Sequence, residues 1–322
     1  MDHKMSGNIK IGFIRILIFT INVLALVSCG LLSRSHEKSY YLHITPPNGV
    51  KIGENLFYDQ TEGDNISWRE YMYWTRRIFG ANSAEYLATI PDSNVWKDYD
   101  TCLKTKMRSY LHLSRFEDYP VVGVTQKQAE MYSKWRSDRV FEYILLSYGK
   151  IKMDTAQKRE TCFTIERYFN GTYHNQKPDP DFKYYPEYRL PTTQEWKKAL
   201  HYADSVEQAY LQKCNSKTCK KCKQNWPEFR SDITPCINDS FKVVPTLTGR
   251  SGFVPGRRHP VYNLRGNVSE LTSENEISVG GGWADKRQKI LTCDTFQCKS
   301  PNAWTGFRDV CEWKEWNKGK SR

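Results

Sequence analysis

Apolar positions recur with helical spacing in three places, each behind a hydroxyl residue followed three positions on by a carboxylate or amide. That pairing lets two orphan backbone donors at a helix start be satisfied reciprocally. The three starts are Ser67 with Glu70, Thr125 with Gln128, and Thr192 with Glu195. After Ser67, Tyr71, Trp74, Ile78 and Phe79 form one stripe and Gly80 supplies a stop. After Thr125, Ala129, Tyr132, Trp135, Val140 and Tyr143 predict a buried face that continues to about Gly149. The third pattern predicts a helix from Thr193 to about Leu211, with Trp196, Leu200 and Ala203 toward the core. Ile52 to Tyr58 reads as a first strand, and Gln176 to Pro186, with Pro178 and Pro180, as an irregular connection.

A fourth pattern, at the N-terminus, is of a different kind. Lys4, Lys10 and Arg15 precede an apolar run from Ile16 to Val27, interrupted by Thr20 and Asn22. The run is shorter than the ~20 residues that cross a bilayer as a helix, and Leu26-Val27-Ser28-Cys29 closes it as a lipobox. Residues 1–28 are therefore expected to be a lipoprotein signal peptide, Cys29 the lipidated residue, and 29–45 a lipidated tether. Residues 46–313 are expected to be one domain, with a basic, cysteine-rich insertion at 212–242, and 314–322 a basic tail.

Composition supports a water-facing domain able to bury a core: 39% of residues are hydrophobic, 14% aromatic, and no second long apolar run follows residue 28. The formal net charge of +12 has local maxima at Lys213–Lys223 and at the C-terminus. An exported chain meets no nucleic acid, so the surplus is expected to face anionic lipid, glycan or acidic protein, or plain solvent. Ten cysteines are present. Outside the cytoplasm their default use is in disulfides, and the nine beyond Cys29 leave at least one over.

Five segments stand in a telling order. They are Pro120-Val121-Val122-Gly123-Val124-Thr125 with Ala129, Tyr132 and Trp135; Tyr188-Arg189-Leu190-Pro191-Thr192 with Glu195-Trp196; Asn263-Leu264-Arg265-Gly266-Asn267-Val268-Ser269-Glu270; Gly280-Gly281-Gly282-Trp283; and Gly306-Phe307-Arg308. Together they resemble the formylglycine-generating-enzyme, or sulfatase-modifying-factor, domain. The resemblance implies an α+β fold, the formylglycine-generating-enzyme variant of the C-type-lectin-like fold, with much irregular structure.

The family's enzymes oxidise a thiol on a client peptide with two cysteines that bind copper(I), an ion suited to soft thiolates. In this chain the two corresponding positions are Asp285 and Ile290, so no copper and no catalytic residue is expected. Cys293 and Cys298 keep the family's interval between the two cysteines, displaced by eight residues, and are the alternative pair. The resemblance further implies a structural calcium held by Asn263 and Glu270 through side chains and by Gly266 and Val268 through carbonyls, a hard oxygen set. Without metal, Asn263 and Glu270 would instead hydrogen-bond loop backbone. Cys214, Cys219, Cys222 and Cys236 are spaced for two disulfides or for a metal. Arg308, Trp283 and Trp196 are expected to be structural.

These readings lead to a bacterial outer-membrane lipoprotein, its domain in the periplasm, held by membrane lipid through Cys29. Its catalytically inactive domain would serve as a scaffold or binding module for other envelope or outer-membrane proteins. The combination resembles the gliding-motility and type IX secretion lipoproteins of Bacteroidota. The alternatives are an exported copper-dependent thiol oxidase and a surface glycan-binding lipoprotein.

Overall fold

The structure, a computed structural model, describes residues 40–97, 110–215, 261–292, 294–298 and 301–317. The chain divides into two compact units, 1–41 and 42–322, and the sheets, helices and core described all belong to the second. Cys29, Cys219, Cys222, Cys236 and Cys293 lie outside the described residues, as does the side chain of Cys214.

The helices are α1 (Asn65–Phe79), α2 (Ala84–Leu87), α3 (Gln126–Ser147), α4 (Ile165–Phe169), α5 (Thr193–Asn215) and α6 (Arg287–Thr292). The strands are β1 (Gly49–Lys51), β2 (Phe57–Asp59), β3 (Tyr184–Arg189), β4 (Ser269–Leu271), β5 (Ile277–Val279), β6 (Thr295–Gln297), β7 (Thr305–Phe307) and β8 (Val310–Glu315). One antiparallel sheet has the order β1-β2-β8-β3 and the other β6-β5-β4-β7, with β4 and β7 parallel. Only Arg308 and Asp309 separate β7 from β8, so this dipeptide carries the chain from one sheet to the other.

Local chemistry sets the helix starts. Thr125 caps α3 with the full reciprocal box: its Oγ1 accepts from Gln128 N–H at 3.1 Å, and Gln128 Oε1 accepts from Thr125 N–H at 2.8 Å. Thr192 and Glu195 repeat the arrangement at α5, at 3.2 and 2.8 Å, and that helix runs four residues past the predicted end, to Asn215. At α1 the expectation is corrected. Asp64, not Ser67, is the cap, its carboxylate accepting from Ser67 N–H at 2.9 Å, so the helix begins at Asn65.

Two further expectations change. Ile52–Tyr58 is not one strand: the chain turns back between β1 and β2, with Ile52 and Gly53 N–H both donating to Leu56 O at 2.9 and 3.2 Å. Tyr184 to Pro186 is not irregular but opens β3, with Pro186 opposite Trp313. The strand tolerates proline because it pairs only with β8, at a sheet edge where the missing N–H breaks no ladder. On α3 the buried face is Ala129, Tyr132, Ser133, Ser137, Asp138, Phe141, Ile144 and Leu145. Tyr143 is 49% exposed instead.

The core is unusually aromatic. Trp68 of α1 stacks on Tyr132 of α3 with centroids 5.4 Å apart, and Phe307 of β7 meets both edge-on at 5.7 and 5.2 Å. Such pairs add ~0.5–1.5 kcal/mol beyond the area they bury. Trp196 packs with Tyr58, Val261, Val279 and Val310 in a second cluster. Trp283 packs with Trp96, Tyr110 and Val268 in a third.

Candidate functional site

The segment 261–283 is built on backbone that few residues accept. Asn263, Gly266 and Asn267 all have positive φ, at 53, 82 and 55°, a conformation open to glycine and tolerated by asparagine. The spacing N-x-x-G-N is thus a backbone requirement. Downstream, a Cβ on Gly280 would stand 2.3 Å from Leu264 O, and one on Gly282 would stand 2.4 Å from Trp304 O. The glycines let three chain segments pass at backbone contact, and Trp283 then inserts, its Nε1–H donating to Ala303 O at 2.8 Å.

That loop delivers Glu270 to a buried charge cluster. Arg308 has no exposed surface, and all five of its N–H groups are donated: Nε and Nη2 to Glu270 Oε1 at 2.9 and 2.6 Å, Nη2 also to Tyr262 O at 2.6 Å, and Nη1 to Asp59 O and Gln60 O at 3.0 and 2.8 Å. Glu62, also buried, lies 3.9 Å from Arg308 and accepts from Asn267 at 2.9 Å and Asn263 at 3.3 Å. Two carboxylates share one guanidinium. Burial pushes Glu270 up to about 7, against the pull of Arg308, and raises Glu62 as well.

Of the four residues to which a family calcium is carried over, Glu270 and Asn263 have their side chains engaged within this network. Glu270 Oε1 is taken by Arg308, and its Oε2 stands 3.4 Å from the Tyr58 hydroxyl. The Asn263 amide nitrogen turns to Glu62. As placed, Glu270 fits the guanidinium rather than a second cation beside it, since like charges repel in a dry interior.

Asp309 anchors a neighbouring network. Arg136 of α3 donates to Asp59 at 2.5 and 3.0 Å, to Asp309 at 3.0 Å and to Pro47 O at 2.9 Å, and its guanidinium lies 3.9 Å from the Tyr188 ring centroid. Ser133 donates to Asp309 Oδ1 at 2.7 Å. Burial and the adjacent Asp59 push Asp309 up to about 7 although Arg136 pulls it down. Consecutive residues therefore face opposite ways, Arg308 into β4 and the 261–270 loop, Asp309 into α3. Asp59, Glu62, Arg136 and Asp309 were not singled out from sequence. Each is one charged residue among many until folding buries it.

Asp285 and Ile290, which the resemblance sets at the positions of the family's cysteines, are both engaged within the fold. Asp285 Oδ2 accepts from Gly282 N–H at 2.9 Å and its Oδ1 from Lys289 at 3.4 Å, just ahead of α6. Ile290 is fully buried against Gly281, and its carbonyl accepts from Arg265 at 2.9 Å. Cys298 lies beyond β6, its N–H donating to Glu276 O at 2.8 Å, beside a cleft of about 380 Å³ also lined by Thr125, Lys127, Glu130, Leu271 and Glu276. Burial pushes its thiol up, against hydrogen bonds with Thr305 at 3.8 Å and Asn302 at 3.7 Å. That is the opposite of thiolate activation. Cys162 and Cys311 are buried thiols outside any disulfide.

A family model described as sulfatase-modifying factor enzyme 1-like domain matches residues 22–313. No curated protein matches the chain. Among solved structures, one titled "Crystal Structure of CarF" is similar, at 16% identity and a TM-score of 0.37, over 80% of this chain and 86% of that one. The α+β architecture agrees with the formylglycine-generating-enzyme variant of the C-type-lectin-like fold. With the family model covering most of its length, the chain belongs to the sulfatase-modifying factor enzyme 1-like domain family.

Proposed function

We propose that this protein is an envelope lipoprotein, anchored at the outer membrane through Cys29, whose domain works without catalysis as a scaffold for other envelope proteins, in secretion or gliding machinery. One observation carries the reading. The positions that hold the family's copper cysteines are here a carboxylate accepting from backbone at 2.9 Å and a fully buried aliphatic side chain, which offer no soft ligand. The raised Cys298 thiol supports it too.

A second reading, an exported copper-dependent thiol oxidase, draws on the placement of Cys298 at a cleft of about 380 Å³. Anaerobic copper(I) titration of the reduced full chain, beside Cys293→Ser and Cys298→Ser, separates the two. The scaffold reading expects no tight stoichiometric site, or binding that neither substitution changes. One-to-one binding lost in both variants would overturn it in favour of the oxidase.

A further inference from the structure

Asp59 and Asp309 set two carboxylates against one guanidinium. Arg136 Nη1 donates to Asp59 Oδ2 at 2.5 Å and to Asp309 Oδ2 at 3.0 Å, so the two oxygens converge on a single nitrogen. The Asp309 side chain has no exposed surface, and that of Asp59 is 5% exposed. The charged and titratable groups facing the pair are Arg136 and Tyr132 of α3, Tyr188 of β3 and Cys311 of β8. Burial pushes the two phenols and the thiol up, so they stay neutral. Arg308 reaches Asp59 at its carbonyl oxygen and already answers Glu62 and Glu270. With both aspartates ionised, one negative charge would stand uncompensated out of water. Like charges held this close favour a shared proton, and burial raises both acids above the usual carboxylate range.

The same guanidinium grips the chain just ahead of the first strand. Arg136 Nη2 donates to Pro47 O at 2.9 Å, and the Tyr188 hydroxyl donates to the same oxygen at 3.2 Å. Pro47 and Asn48 are exposed, Asn48 at a φ of 62°, and β1 follows with Gly49 opposite Asp59. Of the three charged side chains Arg136 is the most exposed, at 14%, so the Pro47 turn that it holds is where water can reach the pair.

We propose that Asp59 and Asp309 share one proton beside Arg136 and that its loss opens the Pro47 turn and β1, which makes this network a pH-sensitive clasp. Linkage gives the sign. A carboxyl raised in the folded state adds stability below its unfolded value and loses it as pH rises through the folded one, about 7 for Asp309. Opening the turn lets water solvate the second charge. The clasp is therefore closed in mild acid and loosened above neutrality.

The test labels the full chain with aspartate carrying carbon-13 at the side-chain carboxyl and follows those resonances by nuclear magnetic resonance from about pH 4 to 9. One is expected to titrate near pH 7 and to be missing in Asp309→Asn. Amide hydrogen exchange, corrected for its intrinsic rate, is expected to lose about tenfold in protection over residues 48–51 between about pH 6 and 8, the effect of one proton around that midpoint. Residues 137–145 of α3 are expected to hold theirs, and Asp309→Asn to abolish the dependence at 48–51. Aspartate carboxyls that all titrate below about pH 5 overturn the proposal. So does protection at 48–51 that stays flat or falls in step with α3. If Asp309→Asn does not fold, the titration and the exchange of the unsubstituted chain decide by themselves.

Discussion

Replacing Arg308 with methionine tests the buried cluster directly. The substitution keeps most of the side-chain volume but removes a guanidinium that donates five hydrogen bonds with no exposed surface. Glu62 and Glu270 are then left buried with no counter-charge, and removing one partner of a buried ion pair costs about 3–5 kcal/mol. The loss depends on pH in a predictable sense. The folded pKa of Glu270 is already raised, to about 7, so its protonated form favours the folded state at low pH and that contribution fades as pH rises through 7. Without Arg308 both carboxylates rise further, because the group that lowered them is gone. Protonating them at pH 5.5 should shrink the loss by about 1–2 kcal/mol relative to pH 8, since each pKa unit is worth about 1.4 kcal/mol. Urea unfolding of the full chain, followed by tryptophan fluorescence at both pH values, measures the difference. Adding Glu270→Gln to Arg308→Met should restore part of the stability at pH 8. A loss below about 1 kcal/mol, or one equal at both pH values with no rescue, would refute the assignment of charge compensation to Arg308.

Other substitutions probe the local devices. Thr125→Ala should cost about 0.5–2 kcal/mol in the same urea assay, with Thr125→Ser near neutral; equal losses would show that the capping box is not what stabilises α3. Gly280→Ala places a Cβ 2.3 Å from Leu264 O at a φ of +79° and should cost about 2 kcal/mol or more; a neutral effect would mean the loop yields easily. Calcium or chelator should leave the thermal midpoint unchanged, because Arg308 occupies Glu270. A calcium-dependent rise of several degrees would return Glu270 and Asn263 to a cation instead. The Cys298 thiol should react slowly with a disulfide reagent at pH 7 in the folded chain and quickly in urea; fast reaction when folded would contradict the raised thiol.

Residues a few positions apart determined by themselves whatever needed no partner from elsewhere. Thr125 with Gln128 and Thr192 with Glu195 start helices because the groups they satisfy lie within one turn. The spacing of Asn263, Gly266 and Asn267 is legible for the same reason, since positive φ is a property of each residue's own backbone. Even locally there was competition. Asp64 and Ser67 are both able caps, and the bridge from Asp64 to Pro120, a contact over long sequence distance, accompanies the earlier start. Tyr184 to Pro186 fell inside an expected irregular connection, and only pairing with β8 at a sheet edge made them the start of β3. Only the tertiary structure decided that Arg308 answers Glu62 and Glu270 while its neighbour Asp309 answers Arg136, partners 246, 38 and 173 positions away. Charged side chains far apart in sequence are interchangeable in water. Burial removes that freedom, because in a dry interior each charge must meet its opposite.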